Sequence, residues 1–472
     1  MKKTYIFIAL ALIAQAAMAQ NPARNAAQAK ASALECGIFS HYVFGAAAVY
    51  DDGECIVGID PDRMMNPASN MKVITTATAL EALGADYRWE TELFHSGEIS
   101  DCGTLDGDLI IKGNGDPTLG ADNSAEPIDE TFRKWKSIID KAGIRKINGS
   151  IVADGSWLEG MREDQTWAYE DLGTYYGTCL SGLNFYENRK DFHISAGADE
   201  GDSLSISEAY PPTPWMRWSF DCTTGRQGSG DQLYMYTEAN GKTGVLRGSF
   251  AAGKADKTIH CRNDHPELTV ASEFCKYLSS NGLKVMGEAR EQAVEQDGSI
   301  MEIGRTMSVP LKDVVRWTNR TSDNFYAEMM FRTLGGETLG HSDGESSRKA
   351  MEQVVSKGFG LAADKERLFI QDGSGLSLRN RVSPSFMCGL LRAEMGKSHY
   401  GTLLESLVKY GERVYLKTGS FTGCRNLCGY ILPSVPGGRT IIFSIMVNNS
   451  PLSTSQIETA EKSLIDALAG MN

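Results

Sequence analysis

The stretch Asn66-Pro-Ala-Ser-Asn-Met-Lys-Val-Ile-Thr75 places a serine, Ser69, three residues before a lysine, Lys72. The run MKVITTATALEAL at residues 71–83 is typical of a helix, and Gly84 is a common stop after a helix C-terminus. A spacing of three residues puts both side chains on one helix face. The sequence therefore predicts a hydroxyl nucleophile beside an amine base, although a helix cap followed by a solvated lysine gives the same pattern.

Two later stretches carry side chains that suit the same chemistry. Ser322-Asp323-Asn324 opens a predicted helix, and Lys417-Thr418-Gly419 lies on a predicted strand. Either stretch alone has a structural explanation, as a helix cap or as an exposed strand end. The order Ser-x-x-Lys, Ser-x-Asn, Lys-Thr-Gly, with each motif on the expected helix start or strand, favours one shared catalytic site.

Composition and charge narrow the class of protein. The chain has 472 residues, which suggests two or three domains, and its apolar and charged fractions of 42% and 23% are those of a globular protein. The formal net charge of −13 disfavours nucleic-acid binding, because a nucleic-acid partner usually requires a basic face.

The first nineteen residues, MKKTYIFIALALIAQAAMA, are typical of a signal peptide. Lys2 and Lys3 precede a short apolar core, and Ala17-Met18-Ala19 matches a small-x-small cleavage site. The apolar core is shorter than the about 20 residues that cross a membrane. The new N-terminus would be Gln20 rather than a lipidated cysteine. We therefore expect an exported, periplasmic protein with at most peripheral membrane association.

The ten cysteines are consistent with disulfides in an exported chain. Cys36 and Cys55 flank a predicted strand, and Cys424 and Cys428 are four residues apart, which makes these the two candidate pairs. The connectivity itself does not follow from sequence. A close Cys-x-x-Cys pair with a neighbouring histidine is missing from the sequence, so we expect no metal, and no motif calls for a cofactor.

The rest of the chain divides around the three motifs. Residues 20–86 and 306–472 combine helices with an early hairpin around Asp51-Asp52-Gly53 and three late strands, which together predict a five-stranded antiparallel sheet flanked by helices. Residues 87–305 instead contain short alternating strands between Gly, Asp and Pro turns. We predict an α+β fold, in which this block is large enough for one or two β-rich domains of its own.

The three motifs resemble those of the penicillin-recognising serine enzymes, which are the penicillin-binding proteins and the serine β-lactamases. About 250 residues separate Ser69 from Ser322, whereas a class A β-lactamase has only a short helical segment between these motifs. The chain is similar instead to D-alanyl-D-alanine carboxypeptidases/endopeptidases of the DacB type, the low-molecular-mass class C penicillin-binding proteins, which carry two extra domains there. The stretches at residues 67–72, 113–119 and 372–377 agree with this resemblance.

The resemblance implies a serine peptidase that acts on peptidoglycan stem peptides and crosslinks. Ser69 would attack the carbonyl of the penultimate D-Ala, with Lys72 as its base and Ser322 as a proton relay held by Asn324, which can also bond the substrate amide. Lys72 must be neutral to act, and burial beside a second cation, Lys417, would lower its pKa. β-Lactams mimic the D-Ala-D-Ala unit and would acylate Ser69 as inhibitors.

The remaining motif residues suit substrate binding. Lys417 and Thr418 can hold a terminal carboxylate, the first through its charge and the second through its hydroxyl. Gly419 lets a substrate backbone lie close along the strand edge. The resemblance also implies an oxyanion hole formed by the backbone N–H groups of Ser69 and Ser420.

Two other functions remain as alternatives at the level of sequence. A β-lactamase would differ from a peptidase in how fast the penicilloyl-enzyme is hydrolysed. A non-catalytic module that binds cell wall or β-lactams would not need the motif side chains. Retention of all of them together argues against it.

Overall fold

The computed structural model of the protein describes residues 22–121, 127–177, 179–238, 241–363 and 367–471, so the predicted signal peptide at residues 1–19 lies outside the described residues. The chain forms two compact units, of which the first comprises Met1–Ala82, Val315–Ser322 and Met351–Asn472. The second comprises Leu83–Val314 and Asp323–Ala350. Among the described residues, no helix is both long and apolar enough to cross a membrane.

The α-helices of the described residues are α1 (Pro22–Cys36), α2 (Met71–Leu83), α3 (Ile128–Lys141), α4 (Pro266–Ser280), α5 (Leu311–Trp317), α6 (Asn324–Leu339), α7 (Gly344–Phe359), α8 (Pro384–Glu394), α9 (Tyr400–Ser406) and α10 (Thr454–Ala469). The strands up to the end of the long central block are β1 (Val43–Tyr50), β2 (Cys55–Ile59), β3 (Glu90–Ser96), β4 (Glu98–Ile99), β5 (Thr104–Asp106), β6 (Leu109–Gly113), β7 (Lys146–Ile147), β8 (Ile151–Asp154), β9 (Arg189–Ser195), β10 (Ser205–Glu208), β11 (Arg217–Gly225), β12 (Asp231–Thr237), β13 (Thr243–Ala251), β14 (Lys257–Arg262), β15 (Lys284–Val285), β16 (Ala289–Glu291) and β17 (Ile300–Met307). The later strands are β18 (Leu368–Phe369), β19 (Arg381–Val382), β20 (Val408–Tyr410), β21 (Val414–Phe421), β22 (Cys424–Ile431) and β23 (Ile441–Asn448).

The first unit is built on an antiparallel sheet with the strand order β2-β1-β23-β22-β21-β20. Five of these strands are the ones predicted from sequence, and β20 is a three-residue addition beside β21. Val43 pairs with Asn448 and Tyr50 with Ile441, so the first strand of the chain lies beside the last. Every residue of β23 is buried, as is typical of a central strand covered on both faces.

Helices cover both faces of this sheet. Helices α1 and α10 pack on one face, where Ala31 and Leu464 join Phe443 and Ile445 in one hydrophobic core. Because neighbouring residues of a strand point to opposite faces, the residues of β23 that alternate with Phe443 and Ile445 point to the other face of the sheet. Helix α8 packs against β1 and β23, and its Cys388 thiol lies 3.5 Å from the Ala47 carbonyl oxygen of β1.

The second unit contains the short strands that the sequence predicted between residues 87 and 305. Sheets β16-β8-β6-β3-β17 and β15-β7-β5-β4 share a core with α3 and α4 that includes Trp135 and Phe274. Sheets β10-β9-β14 and β11-β13-β12 surround a smaller core with Phe192 and Phe250. The α+β fold class is confirmed. The domain boundaries at 86/87 and 305/306 stay a prediction. The two compact units divide the chain at 82/83 and 314/315, and the second unit also contains Asp323–Ala350.

Both candidate disulfides are wrong, because all ten cysteines are free thiols. Cys424 and Cys428 lie on one strand, where four residues span about 13 Å, well beyond the about 7 Å limit for bridged Cα atoms. The residue of α1 that contacts the neighbour of Cys55 is Arg24, which lies 2.9 Å from Glu54. Cys36 lies twelve residues further along that helix, a rise of about 18 Å.

Candidate active site

Ser69 lies in a three-ten turn, Ala68–Asn70, that runs directly into α2. Ala68 has a φ of +46°, a left-handed conformation that is uncommon for a residue with a Cβ atom. Two glycines pack against this turn. A Cβ atom at Gly375 would overlap the Ala68 carbonyl oxygen, and one at Gly419 would lie 2.9 Å from the Ser69 nitrogen. Only glycine at these two positions allows such a close approach of the backbones.

Lys72 is fully buried, with 0% of its surface exposed, and its amine lies beside the Ser69 hydroxyl. Lys72 Nζ donates to Ser69 Oγ at 3.1 Å, as the spacing of three residues predicted. The same nitrogen donates to the carbonyl oxygen of Ser374 at 2.7 Å. The amine is therefore held between the hydroxyl and a backbone carbonyl.

The stretch at residues 372–377 is a tight loop closed by its own first side chain. The Asp372 carboxylate accepts hydrogen bonds from the backbone N–H groups of Gly375 at 2.8 Å and Ser377 at 2.6 Å. The loop thereby presents a backbone carbonyl to Lys72. Sequence reasoning missed this role because a main-chain carbonyl carries no signature of residue type, and only the Asp-Gly-Ser-Gly turn pattern pointed to the loop.

Ser322 ends a π-helical turn, Thr318–Ser322, and its φ of +60° is again left-handed. Its Oγ accepts a hydrogen bond from Lys417 Nζ at 2.9 Å. Asn319 in the same turn donates to Thr76 Oγ1 of the Ser69 helix at 3.1 Å. The first unit therefore brings together two serine–lysine pairs, as the three motifs predicted.

Lys417 is buried, with 1% of its surface exposed. Burial, together with the positive charge of nearby Lys72, lowers the pKa of Lys417 to about 7. From the sequence we expected Lys417 to be the cation that lowers the pKa of Lys72. The charge of Lys72 therefore acts on Lys417, which can lose its proton near neutral pH, and the expected effect of Lys417 on Lys72 stays a prediction.

Strand β21 leaves the end that carries the Lys-Thr-Gly motif open on one side. Strand β20 pairs only with Val414–Leu416, and no strand of the described residues pairs with Lys417–Phe421 on that side. Along this stretch Thr418 is half-buried, Gly419 is buried and Ser420 is exposed. An unpaired strand edge of this kind can accept an extended peptide as an added strand.

Asn324 begins α6 and belongs to the second unit. The cap of this helix is Asp323, whose carboxylate accepts from the backbone N–H of Tyr326 at 2.9 Å, so capping does not explain Ser322. Asn324 Nδ2 donates to the backbone carbonyl of Tyr176 at 2.9 Å. Tyr176 lies in an aromatic stretch of the chain and was not among the predicted site residues.

One other serine lies in a sequence pattern typical of a nucleophile. Residues 340–344 read Gly-His-Ser-Asp-Gly, which matches Gly-x-Ser-x-Gly. Ser342 is buried in the connection between α6 and α7 rather than on a strand-to-helix turn. Its Oγ donates to the Trp157 carbonyl at 2.6 Å and accepts from the Glu159 N–H at 2.8 Å. The Ser342 hydroxyl is thus used to join two loops.

The side chains around Ser342 include a possible set of metal ligands. Ligand atoms of Glu159, His341 and Asp343 all lie within 4.8 Å of one another. His341 already contacts Glu159 at 3.0 Å, and Asp343 accepts from the N–H groups at the start of α7. The first two are exposed surface groups. We assign these three residues no metal.

Fold and site together place the protein in the class of penicillin-recognising serine enzymes. Its serine and lysine motifs meet on an antiparallel sheet flanked by helices, with β-rich sheets formed by the long central block. The chain belongs to the D-Ala-D-Ala carboxypeptidase 3 (S13) family, whose model matches residues 39–470. It is a serine-type D-Ala-D-Ala carboxypeptidase, and the resemblance drawn from the motifs is confirmed.

Individual relatives agree with this family. The chain is 29% identical to a D-alanyl-D-alanine carboxypeptidase of Actinomadura sp. (strain R39), over 84% of this chain and 76% of that protein. It is 23% identical to the D-alanyl-D-alanine carboxypeptidase DacB of Haemophilus influenzae, over 87% of this chain and 86% of that protein. The crystal structure of penicillin binding protein 4 (dacB) from H. influenzae matches with a TM-score of 0.79 at 22% identity, and covers 93% of this chain and 99% of that one. That likeness shows the fold.

Proposed function

We propose that the protein removes the terminal D-Ala of peptidoglycan stem peptides, and cuts D-Ala-linked crosslinks, through an acyl-enzyme on Ser69. The observation that carries this proposal is the contact of 3.1 Å between Ser69 Oγ and the amine of the buried Lys72. A serine hydroxyl becomes a good nucleophile only when a neighbouring base takes its proton.

Lys72 acts as that base in its neutral form. A neutral amine keeps two N–H groups, so its bond to the Ser374 carbonyl persists and its lone pair is left for the Ser69 hydroxyl. Ser69 Oγ then forms a bond to the carbonyl carbon of the penultimate D-Ala while its proton passes to Lys72. This contact to Ser374 orients the amine without consuming its lone pair.

Ser322 relays the proton that Lys72 took from Ser69 to the nitrogen of the leaving amine as the peptide bond breaks, which returns Lys72 to its neutral form. The Ser322 hydroxyl accepts a hydrogen bond from Lys417 Nζ at 2.9 Å, which orients it for this transfer. Asn324 supports this step by holding the substrate amide. Water then attacks the ester carbonyl, releases the shortened peptide and returns the proton to Ser69.

The substrate lies as an extended strand along the open edge of β21. Protonated Lys417 and the hydroxyl of Thr418 hold the terminal carboxylate of the peptide. Gly419 lies on the edge that receives the substrate backbone, and its missing side chain makes room for the turn of Ser69. The N–H groups of Ser69 and Ser420 receive the oxyanion of the transition state. One oxyanion donor is typically worth about 3 kcal/mol in the activation free energy.

β-Lactams inhibit the protein by acylating the same serine. One solved structure of the H. influenzae penicillin binding protein 4 is a complex with a β-lactam, and it matches this chain with a TM-score of 0.72. We extend β-lactam binding to this chain because it holds the motif serine and lysine in contact. The peptidoglycan substrate further suits an exported, periplasmic enzyme, whose residues 1–19 would direct the export.

The test is product analysis with purified protein. A D-Ala-D-Ala pentapeptide and a crosslinked disaccharide-peptide dimer are incubated with the protein and analysed by mass spectrometry. We expect released D-Ala and monomers, and loss of both products in Ser69→Ala. Activity should be retained in Ser342→Ala, which removes the serine of the Gly-x-Ser-x-Gly pattern. Fast penicillin turnover without D-Ala release would instead identify a β-lactamase, and stable penicillin binding without either reaction a binding module.

A further inference from the structure

We infer that Asn426 and Asn448 are positioning residues that set the conformation of the turn carrying Ser69. Together with Asn66 they form a buried cluster of three asparagines, which we name the asparagine brace. Asn426 lies on β22 and Asn448 at the end of β23, while Asn66 precedes Ser69 by three residues. This inference rests on the proposed role of Ser69 as nucleophile and adds how its hydroxyl is held.

Two sheet side chains engage both main-chain polar groups of Asn66. The Asn66 carbonyl oxygen accepts from Asn426 Nδ2 at 3.0 Å and from Asn448 Nδ2 at 3.2 Å. The Asn66 N–H donates to Asn448 Oδ1 at 2.8 Å. The position of this residue is therefore fixed from the sheet rather than by its neighbours along the chain.

The side chain of Asn66 transmits this constraint toward the nucleophile. Its Oδ1 accepts the N–H of Ala68 at 2.8 Å, in the manner of an Asx turn. Ala68 is the residue held at a φ of +46°, immediately before Ser69. A left-handed conformation at a residue with a Cβ atom persists only where the surroundings over-determine it. The asparagine brace supplies that determination on one side of the turn, and Gly375 packs on the other.

The two sheet asparagines also hold each other. Asn448 Nδ2 lies 3.3 Å from Asn426 Oδ1, which additionally accepts the Val447 N–H at 3.2 Å. Both amide nitrogens lie next to the buried Cys424 thiol, at 3.3 and 3.2 Å. Each amide is thus fixed in one orientation, with its hydrogen-bonding groups directed at Asn66.

Another polar side chain on this face of the sheet makes none of these contacts. Ser444 lies four residues before Asn448 on the same face of β23, is fully buried, and its Oγ has no hydrogen-bond partner among the described residues. On this face it is the asparagines that contact the segment before Ser69. Because a misplacement of about 1 Å can cost about a hundredfold in rate, a loosened turn should slow acylation strongly.

The experiment compares Asn448→Ala with the matched control Ser444→Ala. The rate of acylation by a fluorescent penicillin is resolved into a dissociation constant and an acylation rate constant, and kcat and KM are measured with a D-Ala-D-Ala peptide. We expect Asn448→Ala to lower the acylation rate constant and kcat about 10- to 100-fold, with the dissociation constant and KM within about threefold of wild type. Ser444→Ala should keep all four values within about twofold.

A rescue separates positioning from general damage. Glycine adopts a positive φ without the Cβ penalty, so Ala68→Gly added to Asn448→Ala should restore the acylation rate constant at least about threefold. Wild-type acylation in Asn448→Ala, or a loss that Ala68→Gly does not reduce, overturns the inference. If Asn448→Ala does not fold, Asn448→Ser is measured in the same way, alone and with Ala68→Gly. Failure of the wild type to be acylated at Ser69 would instead refute the proposed function itself.

Discussion

Lys72 Nζ donates to the carbonyl oxygen of Ser374 at 2.7 Å, a contact between residues 302 positions apart in the chain. A carbonyl can only accept a hydrogen bond, so it fixes one N–H of the amine in either protonation state. The other bonding positions of the nitrogen point away from this carbonyl, and the Ser69 hydroxyl lies 3.1 Å from the nitrogen. The loop at residues 372–377 therefore belongs to the active site although none of its side chains needs to touch the substrate.

Asp372→Ala should damage this loop and, through it, the base. The substitution leaves the N–H groups of Gly375 and Ser377 without their buried acceptor, which should lower the free energy of unfolding by about 1–3 kcal/mol. The displaced Ser374 carbonyl would no longer orient Lys72, and acylation by penicillin should slow at least about tenfold. Chemical unfolding and stopped-flow acylation measure the two effects. Asp372→Asn keeps one acceptor oxygen and should fall between wild type and Asp372→Ala in both.

Gly419→Ala should misplace the nucleophile. The new Cβ atom would lie 2.6 Å from the Pro67 carbonyl oxygen and 2.7 and 2.9 Å from the backbone nitrogens of Asn70 and Ser69, all of them backbone atoms. We expect acylation to fall by about a hundredfold and stability to fall by about 1–3 kcal/mol.

Gly401→Ala is the matched control for this substitution. A Cβ atom at Gly401 meets nothing within 4 Å, and the residue lies in α9 without a positive φ. Its acylation rate should equal that of the wild type, and its helix should be slightly more stable. Equal activity of Gly419→Ala and Gly401→Ala would contradict the close packing of β21 on the nucleophile turn.

The pH dependence of kcat/KM should report the protonation of Lys417. Its pKa is lowered to about 7 by burial and by the charge of Lys72, so the free enzyme loses this cation as the pH rises through 7. Because the proposed clamp for the substrate carboxylate needs the ammonium form, kcat/KM should fall above that pH. In Lys417→Arg the guanidinium stays charged, and this alkaline decline should vanish, whatever the absolute rate. A decline that persists in Lys417→Arg would assign it to another group.

The same pKa has a consequence for stability with a definite sign. In the unfolded chain a lysine has a pKa of about 10.4, so between pH 7 and that value the unfolded state binds more protons than the folded state. Burial of the Lys417 charge therefore destabilises the fold below pH 7, and the free energy of unfolding should rise between pH 7 and 10. Lys417→Met, which carries no charge, should lack this rise in chemical unfolding experiments.

His399, which contacts Glu81 near the C-terminal end of α2, should make the free energy of unfolding depend on pH in the opposite direction. His399 Nδ1 contacts Glu394 at 2.7 Å and its Nε2 contacts Glu81 at 2.9 Å. Burial favours a lower pKa for His399, but the two carboxylates outweigh it and raise the pKa above the ordinary value of 6.5. A raised pKa in the folded state gives stability that is complete below pH 6.5 and is lost as the pH rises through the folded value.

His399→Gln should therefore cost more stability at pH 6 than at pH 9. Urea unfolding of the wild type and the variant at both values gives the comparison. A difference in the free energy of unfolding that does not change with pH would show that His399 contributes packing rather than charge.

Local patterns predicted the parts of the site that depend on spacing. The run at residues 71–83 is a helix with those bounds, and Ser69 and Lys72 meet because they are three residues apart at its start. The strand carrying Lys417 was also predicted, and it spans Val414–Phe421. These features need no knowledge of the rest of the chain.

Partners that are remote in sequence, or that use the main chain, could not be predicted. The Ser374 carbonyl and the amides of Asn426 and Asn448 act on the backbone of distant segments, and such contacts impose no periodicity on the sequence. The disulfide pairing of Cys424 with Cys428 was wrong for a related reason. Closeness along the chain did not mean closeness in space, because the chain between them is an extended strand.

The pairing of β1 with β23 determines when the protein can first become active. Val43–Tyr50 receives its second neighbouring strand only after Ile441–Asn448 has left the ribosome, and the carbonyl that orients Lys72 also comes 302 residues after that lysine. Ser69 is therefore synthesised early, whereas the residues that complete its surroundings are synthesised late. We therefore expect a chain that ends before β23 to be inactive toward D-Ala peptides, because both the strand beside β1 and the completed sheet around the site would be missing.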